Sequence, residues 1–296
     1  MHKFSVPFAF LAAILIWSTT PLAVQWSSGN APLSSVLLRM VLGATFCGLI
    51  MFAKRTYLPF DRASRNLYIV SGLSIFGAMS LIYWGAQSIP SGWIAVIYGL
   101  SPLFTGLFSL FIEPERQLTP ARIFGILLGF FGLYLVFKAG LSINENTIKG
   151  VIILVISVII SSSSAVLARQ LASKIDLSGM QITMGGLIVA IPFFLISALI
   201  FDPITDISYS SKAIASILYL GIIGTGIGFS LYYFLLKNTS ASNVSMITLI
   251  TPITALFIGS WLNNEPVITD IWIGAGCVCL GLLLYQYKPR YGFRKN

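Results

Sequence analysis

A chain of 296 residues that is 56% hydrophobic and only 9% charged cannot solvate the surface of a water-soluble fold, in which about a quarter of residues carry charge. Its solvent is lipid. The 18 Lys and Arg against 9 acids would suggest nucleic acid in a soluble protein, but all of these bases except Arg39 lie in short connections and towards the ends of apolar runs. They read as orientation signals, and the bilayer rather than nucleic acid is the expected partner.

A membrane crossing needs about 20 mainly apolar residues, and runs of that kind predict ten spans: 6–25, 32–52, 67–86, 92–112, 121–141, 149–169, 178–201, 212–236, 242–262 and 269–286. The opening "MHKFSVPFAFLAAILIW" has the basic start and apolar core of a signal peptide. Its apolar run continues to about Trp26 with no small-x-small site at its end, so it reads as a retained first helix. Connections such as "SSGNAPL", "QSIPS" and "KNTSAS" leave no room for a soluble domain. Ten crossings put fourteen Lys and Arg on the side of the N-terminus and three (Lys138, Lys149, Lys212) on the other, with Arg39 inside the membrane. By the positive-inside rule both termini are expected in the cytoplasm.

Taken along the chain, span 1 offers Trp17 and Thr20, and span 2 the single deep charge, Arg39. On span 3, Tyr83 shares a face with Gln87; on span 4, Tyr98, Ser101 and Thr105 form one helical stripe. Span 6 carries "SSSS" with Ser161 and Ser164, span 8 carries Thr225, Phe229 and Tyr232, and span 9 carries Thr248 and Thr251. Polar side chains turned towards lipid are costly, so these are expected to face the bundle interior and line a substrate cavity. The alternative for each Ser or Thr is close helix packing. Trp93 and Trp261, near span ends, read as interface anchors. Cys47, Cys277 and Cys279 read as apolar filler, because no His accompanies the C-x-C pair. No metal and no cofactor is expected.

Two prolines stand in the middle of apolar runs, in "YGLSPLFTGLF" and "TLITPITALFI", 150 positions apart. They belong to a longer correspondence: Tyr83 with Tyr233, Ser101 with Thr251, Pro102 with Pro252, and Glu115 with Glu265. After a one-residue gap, "GILLGFFGL" (125–133) matches "GAGCVCLGL" (274–282) at its first and last glycines. Spans 1–5 then repeat as spans 6–10, and because five is odd the halves, residues 1–143 and 144–296, cross the membrane in opposite directions. Inverted repeats of this kind recur in secondary transporters, with substrate bound between the halves. Pro102 and Pro252 each free a carbonyl one turn back, which Ser101 and Thr251 could partly satisfy. They read as a hinge in each half or, alternatively, as static kinks.

"WSTTP" in span 1, Arg39 early in span 2, the paired "LSPLFTGLFSLFIEPERQLTP" and "ITPITALFIGSWLNNEPVIT", and the glycine-bearing "GILLGFFGLYLV" and "GAGCVCLGLLLY" together resemble the EamA-type members of the drug/metabolite transporter superfamily. The resemblance covers essentially the whole chain. It implies an all-α membrane protein, a basket of ten helices in two inverted five-helix halves around a central cavity, with spans 5 and 10 at the periphery. It also implies transport of amino acids and other small metabolites across the cytoplasmic (inner) membrane. Glycine-bearing spans 5 and 10 could pair with another subunit to form a homodimer.

Arg39 is the candidate anchor for a substrate carboxylate. It stands about seven residues, on the order of 10 Å, into its helix, so snorkelling to the surface or bonding to backbone carbonyls are its alternatives. No acid lies deep in a span, as one would in a proton-coupled exporter of cations, and one arginine is thin for phosphorylated sugars. The cavity therefore suits neutral or zwitterionic metabolites moved outward, or alternatively an anionic metabolite taken up. An enzyme is not expected: a serine nucleophile needs a base, and no His, Lys, Asp or Glu lies away from the ends of a span. A purely structural membrane protein is the remaining alternative, and the inverted repeat argues against it.

Overall fold

The computed structural model describes residues 5–112, 119–138, 145–202 and 208–286, and among them every regular element is helical. Eight helical segments are long and apolar enough to cross a membrane; two shorter ones, Pro120–Val136 and Thr269–Tyr285, complete the ten as spans 5 and 10. The expected junction at 143/144, Glu115 and the basic residues at both termini lie outside the described residues.

Local signals set the helix starts. Pro32 opens the helix Pro32–Ala53 of span 2, where its missing N–H costs nothing. The Asp61 carboxylate accepts from the N–H groups of Ala63 and Ser64 to open Arg62–Gly85. Ser178 and Gln181 form a reciprocal capping box ahead of Gly179–Phe201, and Ser210 caps Ser211–Tyr219 at the start of span 8. Outward residues such as Leu199, Phe201 and Phe111 stay exposed, as a surface bathed in acyl chains allows. Trp261, 72% exposed, fits an interface anchor. Trp93 does not. It is 4% exposed, because the first half of span 4, Ser91–Tyr98, is enclosed almost all round.

Span 3 packs on spans 6 and 7, span 2 on 7 and 8, span 1 on 8 and 9, and span 4 on 6 and 9. Spans 5 and 10 pack chiefly on each other, to one side. Their seam is glycine on glycine: a side chain at Gly125 would begin 2.4 Å from the Gly281 carbonyl, and one at Gly132 2.5 Å from that of Gly274. The pairing crosses first with last, as two antiparallel copies of one motif must. These glycines are therefore consumed inside a single chain. A second subunit would meet the outward Phe124, Leu127 and Leu280 instead.

The prolines do more than kink their spans. Span 4 is two helices, Ser91–Tyr98 and Ser101–Ile112, and span 9 runs from Ala241–Val244 through a tight 3-10 stretch, Ser245–Leu249, into Thr251–Asn263. Each proline is the second residue of the outgoing helix, where its lost donor costs little. The carbonyl that Pro102 leaves free is that of Tyr98, and Ser101 Oγ donates to it at 2.6 Å. The two breaks are neighbours, since a side chain at Gly99 would stand 3.4 Å from the Pro252 ring.

Candidate functional site

The broken middles of spans 4 and 9 enclose, with spans 1, 2, 3, 6 and 8, a cavity of about 180 Å³. One water needs roughly 10–15 Å³ of such space, so there is room for a small metabolite. Trp17 and Thr20, Arg39, Tyr98 and Ser101, Ser161, Tyr232, and Thr248 and Thr251 all line it. Among the described lining residues there is no Asp or Glu.

Hydrogen bonding fixes much of this wall. Ser157 Oγ donates to the Ala78 carbonyl at 2.8 Å, which leaves it to accept from Tyr98 OH at 2.6 Å. Ser162 Oγ donates to the Ser101 carbonyl at 3.3 Å, tying span 6 to the break in span 4. Thr254 Oγ1 donates to Ser18 Oγ at 2.7 Å, whose own proton goes to the Ile14 carbonyl. Trp17 and Tyr232 stack tilted with centroids 5.7 Å apart, and Tyr233 meets the Tyr232 ring edge-on at 5.1 Å.

Arg39 does not snorkel, and no described acid pairs with it. It is 2% exposed, donates from Nε to Thr225 Oγ1 at 2.9 Å, and lies 6.0 Å from the Tyr83 ring centroid. Thr225 sits in a π-helical stretch, Leu220–Ile227, and such widened turns often mark functional sites. The run "GIIGTGIG" permits close approach there: a side chain at Gly43 would begin 2.5 Å from Thr225 Cγ2, and one at Gly221 3.2 Å from the Arg39 carbonyl.

Three of the residues expected at the cavity stand outside its lining. Gln87 lies beyond the end of span 3, exposed, donating to the Gly29 carbonyl at 2.9 Å; sharing a face with Tyr83 does not bring it to the cavity. Ser164 donates to the Val70 carbonyl at 3.3 Å, a helix contact away from the lining. Tyr83 is fully buried behind Arg39, with Ser27 Oγ 3.4 Å from its hydroxyl, and does not line the space. Sequence reading turned Thr225 and Phe229 towards the cavity without pairing Thr225 with Arg39; it noted Ser162 only within "SSSS" and passed over Ser157. The glycines around Thr225 were the available signal.

The face opposite the N-terminus carries a polar cluster that went unread. Asn263 Nδ2 donates to Gln25 Oε1 at 3.1 Å and to Glu265 Oε1 at 3.0 Å, while Trp26 Nε1 donates to Asn263 Oδ1 at 2.9 Å. Glu265 also accepts the Ser91 and Gly92 N–H groups at 3.2 and 3.3 Å, capping span 4. Lys212 Nζ lies 3.7 Å from the Trp26 ring centroid. Towards the other face the lining reaches Ala241, the first residue of span 9. The cluster lies beyond the lining on one side, and the cavity extends towards the side of the N-terminus as far as Ala241.

The profile of the EamA-like transporter family matches the chain twice, at residues 4–138 and 148–287. An uncharacterized transporter, YoaV of Bacillus subtilis, is 26% identical over 289 residues, 95% of this chain and 97% of its own length. The S-adenosylmethionine/S-adenosylhomocysteine transporter of Chlamydia muridarum is 26% identical, covering 96% of this chain and 92% of that protein. A crystal structure superposes with a TM-score of 0.74 at 18% identity, over 96% of this chain and 97% of that one, which speaks to the fold alone. The chain belongs to the EamA-like transporter family and is a membrane transporter rather than an enzyme.

Proposed function

We propose that this transporter moves amino acids and related small metabolites outward across the cytoplasmic membrane by alternating access, with its termini in the cytoplasm. The two halves, residues 1–143 and 144–296, rock about the breaks at Pro102 and Pro252. The observation that carries this reading is the cavity between the halves: hydroxyl and aromatic groups, one cation, and no carboxylate among its described lining residues. Such a wall suits a zwitterion or a neutral compound, whereas an exported cation would be better served by an acid. The lining reaches Ala241 on the N-terminal side, the side from which an exporter loads. A relative named for S-adenosylmethionine puts that compound, itself an amino-acid derivative, on the test panel. Arg39 favours one second reading, uptake of an anionic metabolite.

The test is efflux from proteoliposomes loaded with labelled amino acids, S-adenosylmethionine and simple dicarboxylates. At least one amino acid or derivative should leave several-fold faster than from empty liposomes, and Pro102→Ala with Pro252→Ala should slow it. Flux confined to dicarboxylates would favour the second reading. No flux of any compound would favour a structural role.

A further inference from the structure

A guanidinium that is 2% exposed in a membrane interior carries an unusually large desolvation cost unless its charge is answered. Thr225 satisfies Nε, but a hydroxyl is neutral. Tyr83 offers only the face of a ring at 6.0 Å. Two acids on the side where span 2 begins are engaged elsewhere: Asp202 accepts the N–H groups of Leu33 and Ser34 at the start of span 2, and Glu265 caps span 4. Arg39 Nη1 is buried with no hydrogen-bond partner, and the residue lines the cavity. Buried donors are nearly always paired, so this one marks a place where a ligand atom belongs.

We propose that Arg39 is an anion subsite within the transport cavity, so that the chain's substrates carry a carboxylate which pairs with Nη1 while their apolar body lies against Trp17 and Tyr232. This deepens, and rests on, the transport reading above. One guanidinium edge matches one carboxylate in charge and width; a phosphate dianion would need a second cation, and the described lining offers none. The bond from Nε to Thr225 fixes the plane of the guanidinium. Nη1, buried in the empty carrier, is the donor left for the carboxylate, while Gly224 of span 8 lies against Nη2, where an added side-chain carbon would stand 3.4 Å away. Empty, the cavity holds an unanswered charge; loaded, it is neutral at this point, which favours movement of the filled carrier over the empty one.

The experiment uses full-length protein in proteoliposomes. A labelled amino acid that the wild type moves is competed with its own carboxamide and with its decarboxylated amine. The expected result is that the carboxamide and the amine each compete at least tenfold more weakly than the amino acid. Arg39→Gln should raise KM at least tenfold and erase that discrimination, and Arg39→Lys should restore part of it. Thr225→Val, which keeps the charge but releases its orientation, should raise KM with discrimination retained. Equal competition by the carboxamide in wild type overturns the proposal even if Arg39→Gln does not fold, as does discrimination that survives in Arg39→Gln. Failure of the wild type to move any amino acid overturns the transport reading itself, so the two failures are distinguishable.

Discussion

Span 8 leans on span 2 as span 3 leans on span 7, and the two contacts are one design used twice with different chemistry. Gly221 of span 8 fits against the Arg39 carbonyl and Leu42 Cβ; Gly72 of span 3 fits against the Gly186 carbonyl and Val189 Cβ. By these contacts Arg39 corresponds to Gly186 and Leu42 to Val189. The small residue that lets the backbones touch is present in both. The guanidinium, its threonine partner and the π-helical turn are present in only one, while span 3 runs as an uninterrupted helix, Arg62–Gly85. Duplication thus accounts for the scaffold, and divergence of one copy accounts for the charge in the cavity wall.

The sharpest way to break this comparison is to put the charge in the other copy. Gly186→Arg brings a guanidinium where Ser71 Cβ and Ile75 Cδ1 already stand 3.1 and 3.3 Å from the first added carbon. An arginine at mid-membrane costs about 3 kcal/mol on insertion scales, and overpacking adds roughly 1–3 kcal/mol. The expected outcome is loss of most monodisperse protein on size-exclusion chromatography and a much lowered melting temperature in detergent. Wild-type-like melting would show that the second interface holds charge as well as the first, and the asymmetry would lose its meaning.

Next in size is the seam on which the halves agree. Gly281→Leu places its first carbon 2.6 Å from the Gly125 carbonyl; backbone cannot step aside, so spans 5 and 10 must separate. Destabilisation at the upper end of the roughly 1–3 kcal/mol range for overpacking is expected. Gly276→Leu, on the same helix, meets nothing within 4 Å and should melt as the wild type does. Thermal unfolding of the pair measures the seam against its own control.

Much of this was legible in the sequence because membrane helices are constrained twice, by length and by apolarity. The ten spans, the 150-residue correspondence and the depth of Arg39 all follow from patterns along the chain. The interruption at each proline was legible as a bend, but not as a full break, because that depends on Ser101 being free to take the Tyr98 carbonyl. Helical spacing put Gln87 with Tyr83 and Ser164 with Ser161, yet spacing fixes only relative faces. Where a span ends and which neighbour it meets decide the rest, and these sent Gln87 to the Gly29 carbonyl and Ser164 to that of Val70. The partner of Arg39 was hidden for a related reason. It is presented by a widened turn of span 8 and stands 186 residues away in sequence, so neither period nor proximity along the chain points to it.

The smallest predicted effect comes from the helix starts of the same two spans. Span 3 is capped by Asp61 and span 8 by Ser210, each accepting from backbone N–H groups of the first turn. The caps differ in that only one titrates. The Ser64 hydroxyl, then its N–H, donates to Asp61 and holds its carboxyl below the ordinary value of 3.8. A carboxylate whose folded value is depressed contributes stability above its unfolded value and loses it as pH falls through the folded one. Asp61 is fully exposed to solvent, so the contribution is small. Asp61→Ser, which copies the span 8 cap, should leave melting at pH 7 nearly unchanged, since serine and aspartate are comparable caps. Below pH 3.8 it should flatten the wild type's decline. Melting curves recorded from pH 7 down to pH 3 would show this; an unchanged acid slope in the variant would mean that other carboxylates set it and that the two caps are interchangeable in acid as well.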